Sequence, residues 1–143
     1  MRLSVGLFLL AAPFAALCAE RSESNCRASL ERAYSVYEMR PASTIRGDFN
    51  GDGQDDLAGL MDRKAQPIRL AIGVCLSGED RPLLIPSQRG LTRIALTVRG
   101  SRHADLVTDM TGVFERDALS TTDEDGNTVS YILRAGTFAR IAG

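Results

Sequence analysis

Hydrophobic positions change rhythm twice along this chain. From Leu3 to Leu17 they run almost unbroken, as "LSVGLFLLAAPFAAL". From Ser24 to Met39 they recur at helical spacing. Cys26, Leu30, Ala33, Tyr34 and Tyr37 follow one another at steps of four, three, one and three, which is one stripe on a 3.6-residue period. Ser22 or Ser24 can cap the start of this helix, and Pro41 stops it soon after Met39. Beyond residue 56 the period falls to two. "LAGLM" (57–61) reads as a short apolar strand, and "PIRLAIGVCL" (67–76) puts Ile68, Leu70, Ile72, Val74 and Leu76 on one face. Arg69, Ala71, Gly73 and Cys75 take the other face, where small side chains let a helix come close.

Further strands read at "PLLIP", "LTRIALTV" and "VSYILRA", with "TGVFERDALST" as another candidate. The turns between them fall at "SGEDRP", "PSQRG", "RGSRHAD" and "DEDGN". Asp125-Gly126 in the last of these reads as a hairpin turn. No long internal repeat appears. The pattern predicts an α+β domain, with one N-terminal helix packed on an antiparallel sheet of about five strands.

The opening apolar run is too short and too early to span a bilayer. Arg2 before it and small Ala19 after it give residues 1–19 the build of a secretory signal peptide, cleaved after Ala19 or, as a second choice, after Cys18. A lipoprotein would carry its acyl group on Cys18, and Leu17 is a poor residue for the place before it. Removing 19 residues from 143 leaves 124, one domain covering 20–143. Loss of Arg2 leaves 16 basic against 18 acidic residues, a formal charge of −2. That offers no basic face for a nucleic acid. The mature chain is expected to be soluble, without a membrane span, and periplasmic or secreted.

Export decides how the cysteines read. Cys18 leaves with the signal, and Cys26 and Cys75 remain in an oxidising compartment, where a single disulfide is expected. Two buried thiols are the alternative. A redox pair would need the closer spacing of Cys-x-x-Cys.

One stretch departs from both periods. "RGDFNGDGQDDLAGL" (46–60) packs four Asp and one Asn into nine positions. With Asp48 as position 1, Asn50 is 3, Asp52 is 5, Gln54 is 7 and Asp56 is 9. Side-chain oxygens at 1, 3, 5 and 9 with a backbone carbonyl at 7 can wrap Ca²⁺, while Mg²⁺ prefers tighter octahedral geometry and keeps its waters. Gly53 permits the sharp turn and Gly51 relieves crowding. Without a cation Asp48, Asp52 and Asp56 would repel one another; a cation turns that repulsion into attraction. An Asx-rich turn that uses these residues only for backbone reasons is the alternative. The stretch is not a complete EF-hand, because position 12 is Gly59 and not Glu.

The stretch closely resembles the calcium loop of FG-GAP and VCBS repeats, Asp-x-Asn/Asp-Gly-Asp-Gly-x-x-Asp followed by an apolar strand. "DFNGDGQDDLAGL" matches that pattern throughout, in a single copy where such repeats come in sevens as propeller blades. The resemblance implies a loop joining two antiparallel strands, with Asp48, Asn50, Asp52 and Asp56 as side-chain ligands and Gln54 through its carbonyl. Asp55 has no ligand role in the pattern. The ending "YILRAGTFARI" (131–141), with one such loop after an N-terminal helix, is similar to small exported bacterial proteins.

His103 is the only histidine, in a polar run, and reads as a solvated side chain. No nucleophile triad assembles around it. Absence of Trp and 6% aromatics leave little for a sugar-binding cleft. The sequence therefore points away from an enzyme, towards an exported calcium-binding module that meets a partner protein. A periplasmic inhibitor or immunity protein against a cell-wall-degrading enzyme is the first alternative, and a metal-dependent hydrolase the second. The export reading has a direct check: N-terminal sequencing of exported material should begin at Glu20, and a lipid-labelled product beginning at Cys18 would replace it with an anchored form.

Overall fold

The structure, a computed structural model, describes residues 14–86, 90–105 and 110–142. Residues 1–13 of the expected signal peptide and 87–89 of the expected "PSQRG" turn lie outside them. Helix α1 (Phe14–Ala33) precedes eleven strands among the described residues. These are β1 (Tyr37–Met39), β2 (Ile45–Gly47), β3 (Asp56–Arg63), β4 (Gln66–Cys75), β5 (Leu83–Ile85), β6 (Leu91–Thr97), β7 (Arg102–Asp105), β8 (Met110–Val113), β9 (Ala118–Asp123), β10 (Thr128–Arg134) and β11 (Thr137–Ala142).

The expected α+β architecture is therefore corrected. Among the described residues the fold is mostly β, with α1 as its one helix. In place of one sheet of about five strands there are three sheets. The first runs β1-β3-β4-β5 with β2 also on β3, the second runs β11-β10-β9-β6, and β7 and β8 form a two-stranded ribbon. All pairings among the described strands are antiparallel. The helix was misplaced too. It begins before Ser24 and ends at Ala33, so the expected cleavage bond Ala19–Glu20 lies within it. Tyr37–Met39 is a strand instead, because it pairs with Met61–Arg63 of β3. Tyr37 falls on the helical stripe by spacing alone. A hydrogen-bonding edge beside it outweighs that local preference.

β4 explains how the layers stack. Successive side chains of a strand point to opposite faces. Leu70, Ile72 and Val74 join the main core between the two large sheets, with Phe49, Ala58, Leu60, Ile94, Leu119 and Tyr131. Ala71 and Cys75 face the other way and meet Cys26, Leu30, Met39, Leu57 and Met61 beneath α1. A third, smaller cluster of Phe114, Ala118 and Ile141 lies elsewhere on the second sheet. Gly73 is needed where α1 crosses: a Cβ there would stand 2.6 and 2.8 Å from the two δ-methyls of Leu30. Leu30 itself is fully buried.

The expected disulfide is present. Cys26 of α1 is bonded to Cys75 of β4, with Cα atoms 5.8 Å apart across 49 positions. Hydrogen bonds add to it, from Tyr34 Oη to Pro82 O at 3.0 Å and from Met39 N to Glu31 Oε1 at 3.1 Å. A bridge closing a loop of this length contributes about 4 kcal/mol in the chain-entropy model. A Cys26→Ala/Cys75→Ala variant should lose that amount in a urea titration, and Leu30→Ala alone about 2–5 kcal/mol through the cavity it leaves. Unchanged midpoints in both would show that α1 adds nothing to the fold.

Candidate metal centre

The acidic stretch is the connection between β2 and β3. Gly47 pairs with Asp56, so residues 48–55 form the loop of a hairpin. Inside it the side-chain oxygens take backbone N–H groups in sequence. Asp48 accepts from Gly51 N at 2.7 Å (Oδ1) and from Gly53 N at 3.0 Å (Oδ2). Asn50 Oδ1 accepts from Asp52 N at 2.9 Å, and Asp52 Oδ1 from Gln54 N at 2.8 Å. Asp and Asn favour such local bonds over regular structure, which is why the chain coils here. Gly51 and Gly53 both sit at φ +82°, the left-handed region where a side chain would be strained.

Asp56 is different. It is only 1% exposed and lies at the first position of β3. Its Oδ2 accepts from Phe49 N at 2.7 Å and Asn50 N at 3.1 Å, while its Oδ1 accepts from Ser77 N at 2.6 Å. Burial pushes this carboxyl above the usual range, against the backbone donors of Ser77, Asn50 and Phe49 that pull it down. Between them, Phe49 enters the main core, edge-on to Phe138 with ring centroids 6.5 Å apart.

Residues far away in sequence hold the loop from outside. Ser77 Oγ donates to Asp52 Oδ2 at 2.5 Å, and Asn50 Nδ2 donates to the same oxygen at 3.0 Å. The Ser77 hydroxyl is the leading reason that the exposed Asp52 carboxyl lies below its ordinary value, followed by Gln54 N–H. From the connection between β8 and β9, Arg116 Nη1 donates to Asn50 O at 2.9 Å. Asp117 Oδ2 accepts from Asp48 N at 3.0 Å and its Oδ1 from Arg99 N at 2.8 Å. Ser77, Arg116 and Asp117 were invisible to sequence reasoning, since nothing in "SGEDRP" or "FERDALS" marks a partner that many positions away.

The five expected ligand residues thus share one loop but not one environment. Asp48 and Asn50 are half-buried, Asp52 and Gln54 exposed, and Asp56 buried. Among the described residues no group of three or more His, Cys, Asp or Glu converges to hold a metal ion. The oxygens still suit a hard cation in type and order. Each bond to Asp48 Oδ1, Asp48 Oδ2, Asn50 Oδ1, Asp52 Oδ1 and Asp56 Oδ1 engages one lone pair of an oxygen that carries two. Asp52 Oδ2 and Asp56 Oδ2 each take two donors already. Asp55 is exposed and lines a groove of about 250 Å³ beside α1. The second acidic stretch is a turn, with Asp123 Oδ1 accepting from Asp125 N and Asn127 N at 3.0 and 2.8 Å.

Asp56 should therefore matter with no cation present. In EGTA, Asp56→Asn should lower the unfolding free energy by about 3 kcal/mol, because its amide turns a donor towards buried N–H groups. Asp55→Ala should stay within about 0.5 kcal/mol of the parent. Equal effects in denaturant titrations would show that Asp56 is no anchor. No protein family, curated protein or solved structure matches the chain, so the reading of the site rests on its own geometry.

Proposed function

We propose that this chain is an exported calcium-binding domain that serves as an interaction module, with the ion in a structural role. The observation that carries the reading is the loop of residues 48–55 with Asp56 behind it. It presents oxygens at every second position, and Asp48 Oδ1 and Oδ2, Asn50 Oδ1 and Asp52 Oδ1 each take one backbone donor. Asp48, Asn50, Asp52 and Asp56 would hold the ion through side chains and Gln54 through its carbonyl. A bound Ca²⁺ supplies positive charge that ties these oxygens together and relieves repulsion between carboxylates.

The rest of the molecule supports this role. The loop is fastened to the connection that leads into β9 through Arg116 and Asp117 and to the residues just after β4 through Ser77, so an ion there would stiffen a surface where the two sheets' connections meet. A protein partner would then meet an ordered face instead of a moving loop. The Cys26–Cys75 bridge suits an oxidising compartment, periplasmic or extracellular. No helix among the described residues is long and apolar enough to cross a membrane.

Calcium should bind the folded loop and hardly the unfolded chain, raising stability by RT ln(1 + [Ca²⁺]/Kd). That is about 2.7 kcal/mol at a hundredfold excess over Kd, or several degrees in Tm. EGTA should reverse the shift, magnesium should do much less, and Asp52→Ala should remove most of it. A pull-down should retain a protein partner in calcium and release it in EGTA. No calcium-dependent change in Tm would reduce the loop to a hairpin turn.

A further inference from the structure

A separate cleft of about 220 Å³ opens between the β7–β8 ribbon and β10. His103, Val113, Phe114, Ile132, Arg116 and Arg134 line it, with Glu115 beside them. Phe114 is buried and Ile132 packs against its cluster, so the floor is apolar, while Val113 is exposed at the rim. Two arginines stand there against one glutamate. Arg134 is exposed and has no side-chain hydrogen bond or ion pair among the described residues. Arg116 gives one N–H to Asn50 O, and a guanidinium has five.

His103 forms one wall. It stands on β7, not in the polar turn that the sequence suggested, and its ring lies 4.8 Å from the ring of Phe114. Gly112 opposite leaves room for it, since a Cβ there would come within 2.7 Å of Nε2. Its Nδ1 is buried with no hydrogen-bond partner, and such an orphan asks for a reason. Among the described residues the ring is held by packing against Phe114 and Gly112.

We propose that this cleft binds a carboxylate carried on a small apolar body. The acid lies on Arg134 and the free donors of Arg116, and the apolar part lies on Phe114, Ile132 and Val113. Guanidinium groups match carboxylates in charge and in planar donor geometry. The volume falls below the roughly 300–1,000 Å³ of pockets that take drug-sized ligands, so the occupant has about one ring or one branched side chain. A free organic acid and the C-terminal residue of a peptide share this chemistry.

The ring protons of His103 are an unambiguous NMR reporter, because the chain has one histidine. Benzoate at millimolar concentration should shift them saturably, and benzyl alcohol, its neutral counterpart, should not. N-acetylphenylalanine separates the two sources. Binding of that acid but not of its amide identifies a peptide C-terminus, and binding of benzoate alone identifies a free acid; either upholds the carboxylate site. Arg134→Gln should weaken the acid about tenfold at unchanged Tm, in keeping with loss of one charge-assisted contact. Arg134 is the residue to change because Arg116 also touches the loop. Equal shifts from benzyl alcohol, no saturable shift from any acid, or undiminished affinity in Arg134→Gln at unchanged Tm would overturn the site.

Discussion

The carboxylate of Asp56 is where the parts of this molecule meet. It stands at the start of β3, deep in the structure, and its oxygens accept N–H groups from Phe49, Asn50 and Ser77. Burying a charge without partners is costly, and these three donors offset that cost. They also fix three things together: the entry of the loop, the seat of Phe49 in the main core, and the exit of β4 beyond the disulfide. A single side chain therefore couples a surface loop to the packing between two sheets. Hydrophobic burial alone would place Phe49, but it would leave the polar backbone around it unsatisfied.

The same economy runs through β4. Its alternating faces serve two cores, the inner one against the second sheet and the outer one beneath α1. Cys75 pairs with Leu57 across the ladder, and Ser77 follows two residues later to reach both Asp56 and Asp52. The bridge to Cys26 thus anchors the strand end that also supports the loop. Among the described side chains of α1, Leu30 is the other one buried in this cluster, so the bridge adds to a small apolar hold.

Long elements with a clear period were legible in the sequence. β3, β4, β6 and β10 all follow runs of alternating or continuous apolar residues, and the disulfide followed from export and cysteine count. Among the short strands, β5 showed as "PLLIP" and β8 overlaps "TGVFERDALST", but β1, β2 and β7 were not legible, because three or four residues show no period. β1 and β2 exist because β3 is long enough to pair with both along one edge. β11 was hidden by its turn. Ala135 and Gly136 both have positive φ, the geometry of a two-residue hairpin, yet Ala lacks the usual signal of Asn or Asp. Sheet membership was also out of reach, since alternation tells that a strand has two faces but not which neighbour covers them. The spacing at positions 48, 50, 52 and 56 was plain in the sequence, while Ser77, Arg116 and Asp117 came only from the fold.

The loop also changes how its acidic residues are best understood. Seven backbone N–H groups, from Phe49, Asn50, Gly51, Asp52, Gly53, Gln54 and Ser77, point at the side chains of Asp48, Asn50, Asp52 and Asp56. Successive N–H dipoles in a turn act as fixed partial positive charge. They perform part of the neutralisation that a cation would perform. A cation entering such a loop would find much of the ordering done, so less of its binding free energy would be spent on arranging the chain. The opposing demand falls on Asp56. Its burial and its three backbone donors make it the least free of the carboxylates to turn towards an ion, while Asp52 is exposed. One acidic motif thus holds a buried carboxylate that anchors the fold and an exposed one at the surface.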